Sequence, residues 1–309
     1  MENHSEDADN RPGMVENGRV ANGARTLRIQ PLTAADEQRL SALVGEVGWG
    51  VAPGRLNAML TVGKGFGHFL DETLITSSIL FPYGRELAFL GMVIVHPLWQ
   101  RKGLGSAIVK KCLELAEELG VNRVGLLATD AGYPLYRSLG FETVERVHRY
   151  IGKPKRITRG RGGHVGIHIR PLGETDWTEL ISMDQEVTGV LRKETYMAFV
   201  KTVTTAIVAR DGQGQLLGYA MASEVGDMLI IGPLHATATE VATELALHLT
   251  QSALGQVRID VPAGQTEWMR VLLALGLEEV HVSPMMLYGG QGLPGQRTWM
   301  FGIMDAALG

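Results

Sequence analysis

The stretch "HPLWQRKGLGSAIVKKCLELAEELG", residues 96–120, sets two glycines one residue apart at the mouth of a helix, with an Arg-Lys pair just before them. Leu104, Ile108, Cys112, Leu115 and Leu119 fall on one stripe at helical spacing, and Lys110, Lys111, Glu114, Glu117 and Glu118 fall on the others. An amphipathic helix over 104–119 is therefore expected, with Cys112 as a core residue. Upstream, Val93, Ile94 and Val95 read as a strand that stops at Pro97. Strand, glycine turn and helix N-terminus in that order suit a phosphate. The first-turn N–H groups lack partners, the positive end of the helix dipole lies there, and glycines let the backbone approach closely. Gly103 and Gly105 can also take the positive φ values that turn successive amides to one side.

Working outward, a short strand at Leu27–Gln30 leads through Pro-Leu into helical pattern from Ala34, and "HFLDETLITSSILF" and "ELAFLGMVIV" lean to β structure. After the 104–119 helix come the strand "RVGLLAT", a helix around Pro134–Leu139, and a last strand in "FETVERVHRYI". This order implies an α+β fold, a mixed but mostly antiparallel sheet with helices on its faces.

The chain also repeats. "LRIQPLTAADEQRL" (27–40) matches "IHIRPLGETDWTEL" (167–180), "GMVIVHPL" (91–98) matches "DMLIIGPL" (227–234), and "SLGFETV" (138–144) matches "ALGLEEV" (274–280). Three matches in one order at nearly constant offset predict two copies of one fold. The domain reading is a disordered tail over 1–24, a first domain over 25–152, a linker over 153–166 and a second domain over 167–309. The basic, glycine-rich "GKPKRITRGRGGHVG" (152–166) supplies the linker.

The 309 residues carry 29 Lys and Arg against 33 Asp and Glu, a net charge of −4, which offers no field for nucleic acid or an anionic membrane surface. No apolar run approaches a transmembrane span, and the first 24 residues lack the apolar core of a signal peptide. One cysteine excludes an internal disulfide and a cysteine-built zinc site, so a reducing compartment, the cytoplasm, is expected. "VGKGFGH" (62–68) fails as a Walker loop and reads as a turn into a strand; His164 and His168 lie in linker and strand, where four-residue spacing does not bring them together, so no metal is expected. Trp49, Trp177, Trp268 and Trp299 could line an acceptor pocket, core packing being the commoner use, and no Gly-x-Ser-x-Gly elbow supports serine hydrolysis.

At Gln100-Arg101-Lys102-Gly103-Leu104-Gly105, preceded by "VHP", and again at "LYRSLGF" with Tyr136, the chain resembles the GNAT superfamily of N-acetyltransferases. The resemblance covers residues 25–152 well and the second half as a degenerate copy. It implies acetyl-CoA as co-substrate, its pyrophosphate held by the amides of residues 101–106 with Gln100, Arg101, Lys102, Gly103, Leu104, Gly105 and Ser106, and its thioester carbonyl near the main chain of Val93 and Val95. It also implies Tyr136 as the acid that protonates the departing thiolate, with Tyr133 as substitute. The family's positions for a general base fall on Phe89 and Gly91, neither of which accepts a proton. Glu86 is the nearest carboxylate, although strand alternation turns it to the other face unless a bulge intervenes; water or an already neutral amine would also serve.

Laid beneath the phosphate loop, the second copy offers Ala236 to Val241, without glycines and with Glu240 opposing an anion, and Leu272 stands in place of Tyr136. One active site per chain follows. The expected activity is transfer of an acetyl group to a primary amine of a small molecule or an exposed amino group; the competing expectation is a non-catalytic acyl-CoA-binding regulatory module. A homodimer stays open.

Overall fold

In a computed structural model, the described residues are 20–22, 25–155, 166–251, 253–290 and 292–309. The first half runs β1 (Val20–Asn22), β2 (Arg25–Leu32), α1 (Glu37–Glu46), α2 (Arg55–Val62), β3 (Lys64–Leu70), β4 (Thr73–Tyr83), β5 (Leu87–Val95), α3 (Leu104–Glu118), β6 (Val124–Leu127), α4 (Tyr133–Ser138) and β7 (Glu142–Gly152). The second runs β8 (His168–Pro171), α5 (Trp177–Thr188), α6 (Lys193–Phe199), β9 (Thr205–Arg210), β10 (Leu216–Val225), β11 (Met228–Ala236), α7 (Thr239–Thr250), β12 (Gln256–Pro262), α8 (Thr266–Ala274), β13 (Glu278–Tyr288) and β14 (Met300–Gly302).

The repeat in sequence is a repeat in structure. In each copy the conserved-looking Asp after Pro-Leu starts a helix: the Asp36 carboxylate accepts the Thr33 N–H at 2.9 Å, and Asp176 accepts the Gly173 N–H at 2.7 Å. Tyr136 and Leu272 also hold equivalent places, because their carbonyls accept the N–H groups of Phe141 and Leu277 at the same helix ends. Residues 1–19 and 156–165, most of the expected tail and linker, lie outside the described residues, as does His164. Val20–Asn22, the end of the expected tail, instead pairs with β2 as an antiparallel ribbon. The run "HFLDETLITSSILF" is cut by a turn at Asp71–Glu72 into β3 and β4.

The two copies share one sheet. Its order is β1-β2-β3-β4-β5-β6-β13-β7-β12-β11-β10-β9-β8, with β14 attached to β11. Among the described residues only the β5/β6 and β11/β12 pairs are parallel. Each half gives its long late strand to the other, since β13 stands beside β6 and β7 stands beside β12. Close approach is needed there: a Cβ on Gly152 would lie 2.4 Å from the Gly276 carbonyl oxygen. Residue 152 is thus an end in sequence but the middle of the sheet in space.

Three large apolar clusters hold the layers. α3 and α4 cover the first half's sheet through Ile108, Val109, Cys112 and Phe141, and α7 and α8 cover the second through Leu245, Trp268 and Leu272. The third cluster belongs to both halves, joining Leu40, Met59 and Phe81 to Leu180, Val187 and Tyr196, with Ile303, Met304, Ala307 and Leu308 of the C-terminal segment. Under it lies a wholly buried polar set. Arg192 forks onto Asp184 at 2.6 and 3.0 Å and donates to the Gly309 carbonyl at 2.9 Å, while Tyr83 donates to the Leu308 carbonyl at 3.1 Å. An unpaired Arg192 or Asp184 would be costly at such depth, so the pair pins the last residues in place.

Candidate functional site

β5 is where the sheet opens. It pairs with β6 only at Ala88 to Val124 and Phe89 to Gly125, while β6 keeps β13 on its other side along its whole length. Met92 has φ 52°, and the register with β4 shifts between Ser77 and Ile79, so the strand bulges where it loses its neighbour. The gap leads into a cleft of about 410 Å³ lined by Leu90–Val93, Leu127, Thr129 and Tyr136, by Trp49–Ala52 and Arg55, and by Arg149, Arg258, Asp260 and the 303–307 segment. Both halves build it.

Residues 96–103 carry the chain from β5 to α3. His96 starts the turn by accepting the Leu98 N–H on Nδ1 at 3.2 Å, and Gln100 reaches back to the Val95 carbonyl at 3.3 Å. Arg101 then takes φ 61° and Gly103 φ 78°, a left-handed pair that turns the intervening amides the same way. The N–H groups of Arg101 to Ser106 donate to no acceptor among the described residues; the first helical bond runs from Ala107 to the Gly103 carbonyl. Gly105 allows close packing, its missing Cβ position lying 3.3 Å from Leu135 and 3.5 Å from Val95. No acidic residue occupies the first turn of α3, and Lys102 lies over the Trp99 ring at 4.8 Å. These amides, with a positive helix end and flanking cations, fit a diphosphate.

Tyr136 is 7% exposed, stacks edge-on against Phe141, and points to the cleft from α4. Burial pushes its hydroxyl well above the usual tyrosine value, and no atom among the described residues hydrogen-bonds it. Such a group keeps its proton and has it free to give. Val93 lines the cleft, whereas Val95 packs with Leu104 and Trp99 beneath the loop. Tyr133 lies outward on α4 and does not line the cleft.

Glu86 is not brought to this site. It sits in the turn before β5 and pairs with Arg123 at 3.8 Å, seven strand residues from Val93, or about 24 Å. The bulge that could have rotated it lies at the far end of the strand. Gly91, the family's base position, is glycine for a physical reason: a Cβ there would come 2.3 Å from the Ala307 Cβ of the C-terminal segment. Of the four tryptophans named as pocket candidates, Trp49 lines the cleft; Trp268 is wholly buried and donates to the Phe301 carbonyl at 3.0 Å, and Trp177 and Trp299 pack on the shared core. Cys112 is buried and donates to the Ser78 hydroxyl oxygen at 3.3 Å; burial raises the thiol to about 12, outweighing the opposing effect of that hydrogen bond.

Sequence reasoning missed the charged wall. Asp260 on β12 accepts Arg149 from β7 at 2.8 and 3.1 Å and is also gripped by both ends of Arg258. Across the cleft, Arg55 forks onto Asp305 at 2.8 and 2.9 Å, and Asp305 accepts the Ala307 N–H at 2.8 Å. Burial raises the Asp260 carboxyl, but Arg258 and Arg149 outweigh it and hold it ionised. Arg149 looks like a solvent-facing residue of an edge strand in sequence; only the strand exchange places it here.

Among the described residues no group of three or more His, Cys, Asp or Glu could hold a metal, and no helix is long and apolar enough to cross a membrane.

Comparison with known proteins agrees with the repeat. Residues 48–141 match the acetyltransferase (GNAT) family model, and residues 180–302 match an acetyltransferase (GNAT) domain model. The uncharacterized N-acetyltransferase YitH of Bacillus subtilis is 28% identical over 286 residues, covering 91% of this chain and 99% of its own. Among solved structures, a putative acetyltransferase from Pyrococcus horikoshii superposes with a TM-score of 0.75 at 18% identity, over 97% of this chain and 99% of its own. A tandem GNAT protein from the clavulanic acid biosynthesis pathway gives a TM-score of 0.65 at 16% identity, over 86% of this chain and 100% of its own.

Proposed function

This chain belongs to the GNAT acetyltransferase family as a tandem of two such domains, and from that premise we propose that it is an acetyl-CoA-dependent N-acetyltransferase whose first domain alone performs transfer. The acceptor is a primary amine of a small molecule or an exposed amino group, attacking directly within a ternary complex. The observation that carries this reading is the set of unpartnered amides from Arg101 to Ser106, which follows a strand opened at Met92 and stands beside a cleft holding Tyr136.

Amide formation needs a neutral amine, donors for the developing oxyanion, and a proton for the departing thiolate. The amides of Arg101–Ser106, with Gln100, Arg101 and Lys102 around them, take the pyrophosphate. The main chain at Val93, on the strand edge that β6 leaves uncovered, takes the thioester carbonyl; the Met92 carbonyl is already held by the Ser77 hydroxyl at 2.7 Å. Tyr136 gives its proton to the thiolate sulfur as the carbon–sulfur bond breaks. Glu86 is too distant to accept the amine proton. Of the two cleft carboxylates, Asp260 already accepts four guanidinium N–H bonds, whereas Asp305 Oδ1 accepts only the Ala307 N–H. Asp305 is the proton acceptor that the cleft offers. The single buried cysteine suits a cytoplasmic setting.

An assay of CoA thiol release over a panel of primary amines tests the reading. Amine-dependent release supports transfer; tight CoA binding with no release from any amine would support the regulatory module instead.

A further inference from the structure

The acceptor end of the cleft carries more positive charge than its own carboxylates neutralise. Arg55, Arg149 and Arg258 line it against Asp260 and Asp305. Asp305 is matched by Arg55, while Asp260 faces two guanidiniums at once. Each of those two spends one edge on Asp260, and the Nη1 groups of Arg149 and Arg258 have no hydrogen-bond partner among the described residues. Both side chains are about three-quarters buried, at 28% and 22% exposure, so this surplus is poorly screened. A chain with a net charge of −4 thus holds an excess cation in a recess, its forks oriented by a carboxylate beneath them. The placement depends on both halves, because Asp260 and Arg149 are directly opposed across the β12/β7 pair that strand exchange creates.

The geometry points to an acceptor that is itself an acid: a small amine bearing a carboxylate or similar anionic group, which docks on Arg149 and Arg258 while its amino group faces the thioester. The inference rests on the transferase reading and narrows it to amino-acid-like substrates. It also gives the second domain a task, since Arg258 and Asp260 come from it. An exposed lysine on a folded protein carries no anion at a set distance from its amino group and would leave the two forks unmatched.

The test uses matched acceptors, amino acids and their carboxamides, and compares kcat/KM in wild type, Arg258→Gln and Arg258→Lys. Because Arg149 still neutralises Asp260 in these variants, the fold is retained, which a melting curve checks. Free acids should exceed amides by about tenfold or more, as a charge-assisted hydrogen bond does. Arg258→Gln should erase most of that ratio, lowering kcat/KM for the acids far more than for the amides, and Arg258→Lys should restore it in part. In parallel, N-acetylated acids and their amides are titrated calorimetrically into the CoA-loaded protein. Acid-selective binding without thiol release would contradict the transferase reading yet support this site. Equal use or binding of acid and amide, binding of neither, or an equal loss on both in Arg258→Gln would overturn it.

Discussion

After β5 the chain takes residues 96–103 to reach α3, and after β11 it takes only Thr237 and Ala238 to reach α7. The strands before these turns match in sequence, and the helices after them pack alike. In the first turn two residues adopt positive φ and the amides stay unpartnered; in the second, Thr237 donates to the Leu217 carbonyl, Ala238 is extended, and Glu240 stands in the first helical turn. The strand gaps differ too. β5 runs open beyond Phe89, whereas β11 pairs with β12 through Ile231 and then with β14 at Leu234 and His235. A helix N-terminus is therefore not a site by position alone. It becomes one when the preceding loop is long enough to turn its amides outward and the neighbouring strands leave room.

The comparison breaks most visibly at Tyr136. Tyr136→Phe keeps the ring against Phe141 and should lower kcat by about a hundredfold or more with CoA affinity unchanged, as for loss of a general acid. Its counterpart Leu272→Tyr, on the buried face of α8, should add no activity; thiol-release kinetics read both. Next comes the loop. Gly103→Glu places a carboxylate and a side chain at φ 78°, and CoA affinity should fall by about tenfold to a hundredfold in a calorimetric titration without unfolding. Glu240→Gln in the second copy should leave that titration unchanged.

Gly91 and Gly232 sharpen the likeness instead of the difference. A Cβ on Gly91 meets Ala307 at 2.3 Å, and one on Gly232 meets the Ile303 carbonyl oxygen at 2.2 Å, so the C-terminal segment lies against both central strands. Alanine at either position should cost about 1–3 kcal/mol in urea unfolding. If only one variant is destabilised, the segment is not pinned as described.

The smallest effect concerns pH, and each half supplies one group. Burial lowers His68 in β3 to about 4 and His235 in β11 to about 3. Both rings are neutral when folded but protonate near 6.5 when unfolded. Stability is thus complete above that value and falls as pH drops through it, by about 1.4 kcal/mol per histidine at pH 5.5. Urea midpoints between pH 7 and 5 measure the slope; a flat profile would contradict the burial of both rings.

Local pattern made much of this legible. The 104–119 stripe, the glycine turn and the repeat are contiguous, and α3 spans Leu104–Glu118 as the spacing predicts. The loop proposed to hold the diphosphate is readable because its chemistry is carried by neighbouring backbone groups. The strand exchange was not, since alternation in "FETVERVHRYI" identifies a strand but not its partner. Arg149, Arg258 and Asp260 come together only through that exchange. Glu86 was the nearest carboxylate in sequence, and the strand's length carries it away from the cleft. Asp305, more than two hundred residues further on, arrives because Arg192 and Tyr83 hold the segment after it. Nearly equal spacing from Pro97 to α3 and from Pro233 to α7 also concealed that β11 runs on through Ala236 where β5 stops at Val95, which leaves the second turn only two residues.

Diffraction from crystals grown with CoA tests the central claim most directly. The account predicts one CoA per chain, its pyrophosphate on the Arg101–Ser106 amides and its thiol in the gap between β5 and β6. A pyrophosphate at the start of α7, or a thiol lodged anywhere in the second half, would contradict it.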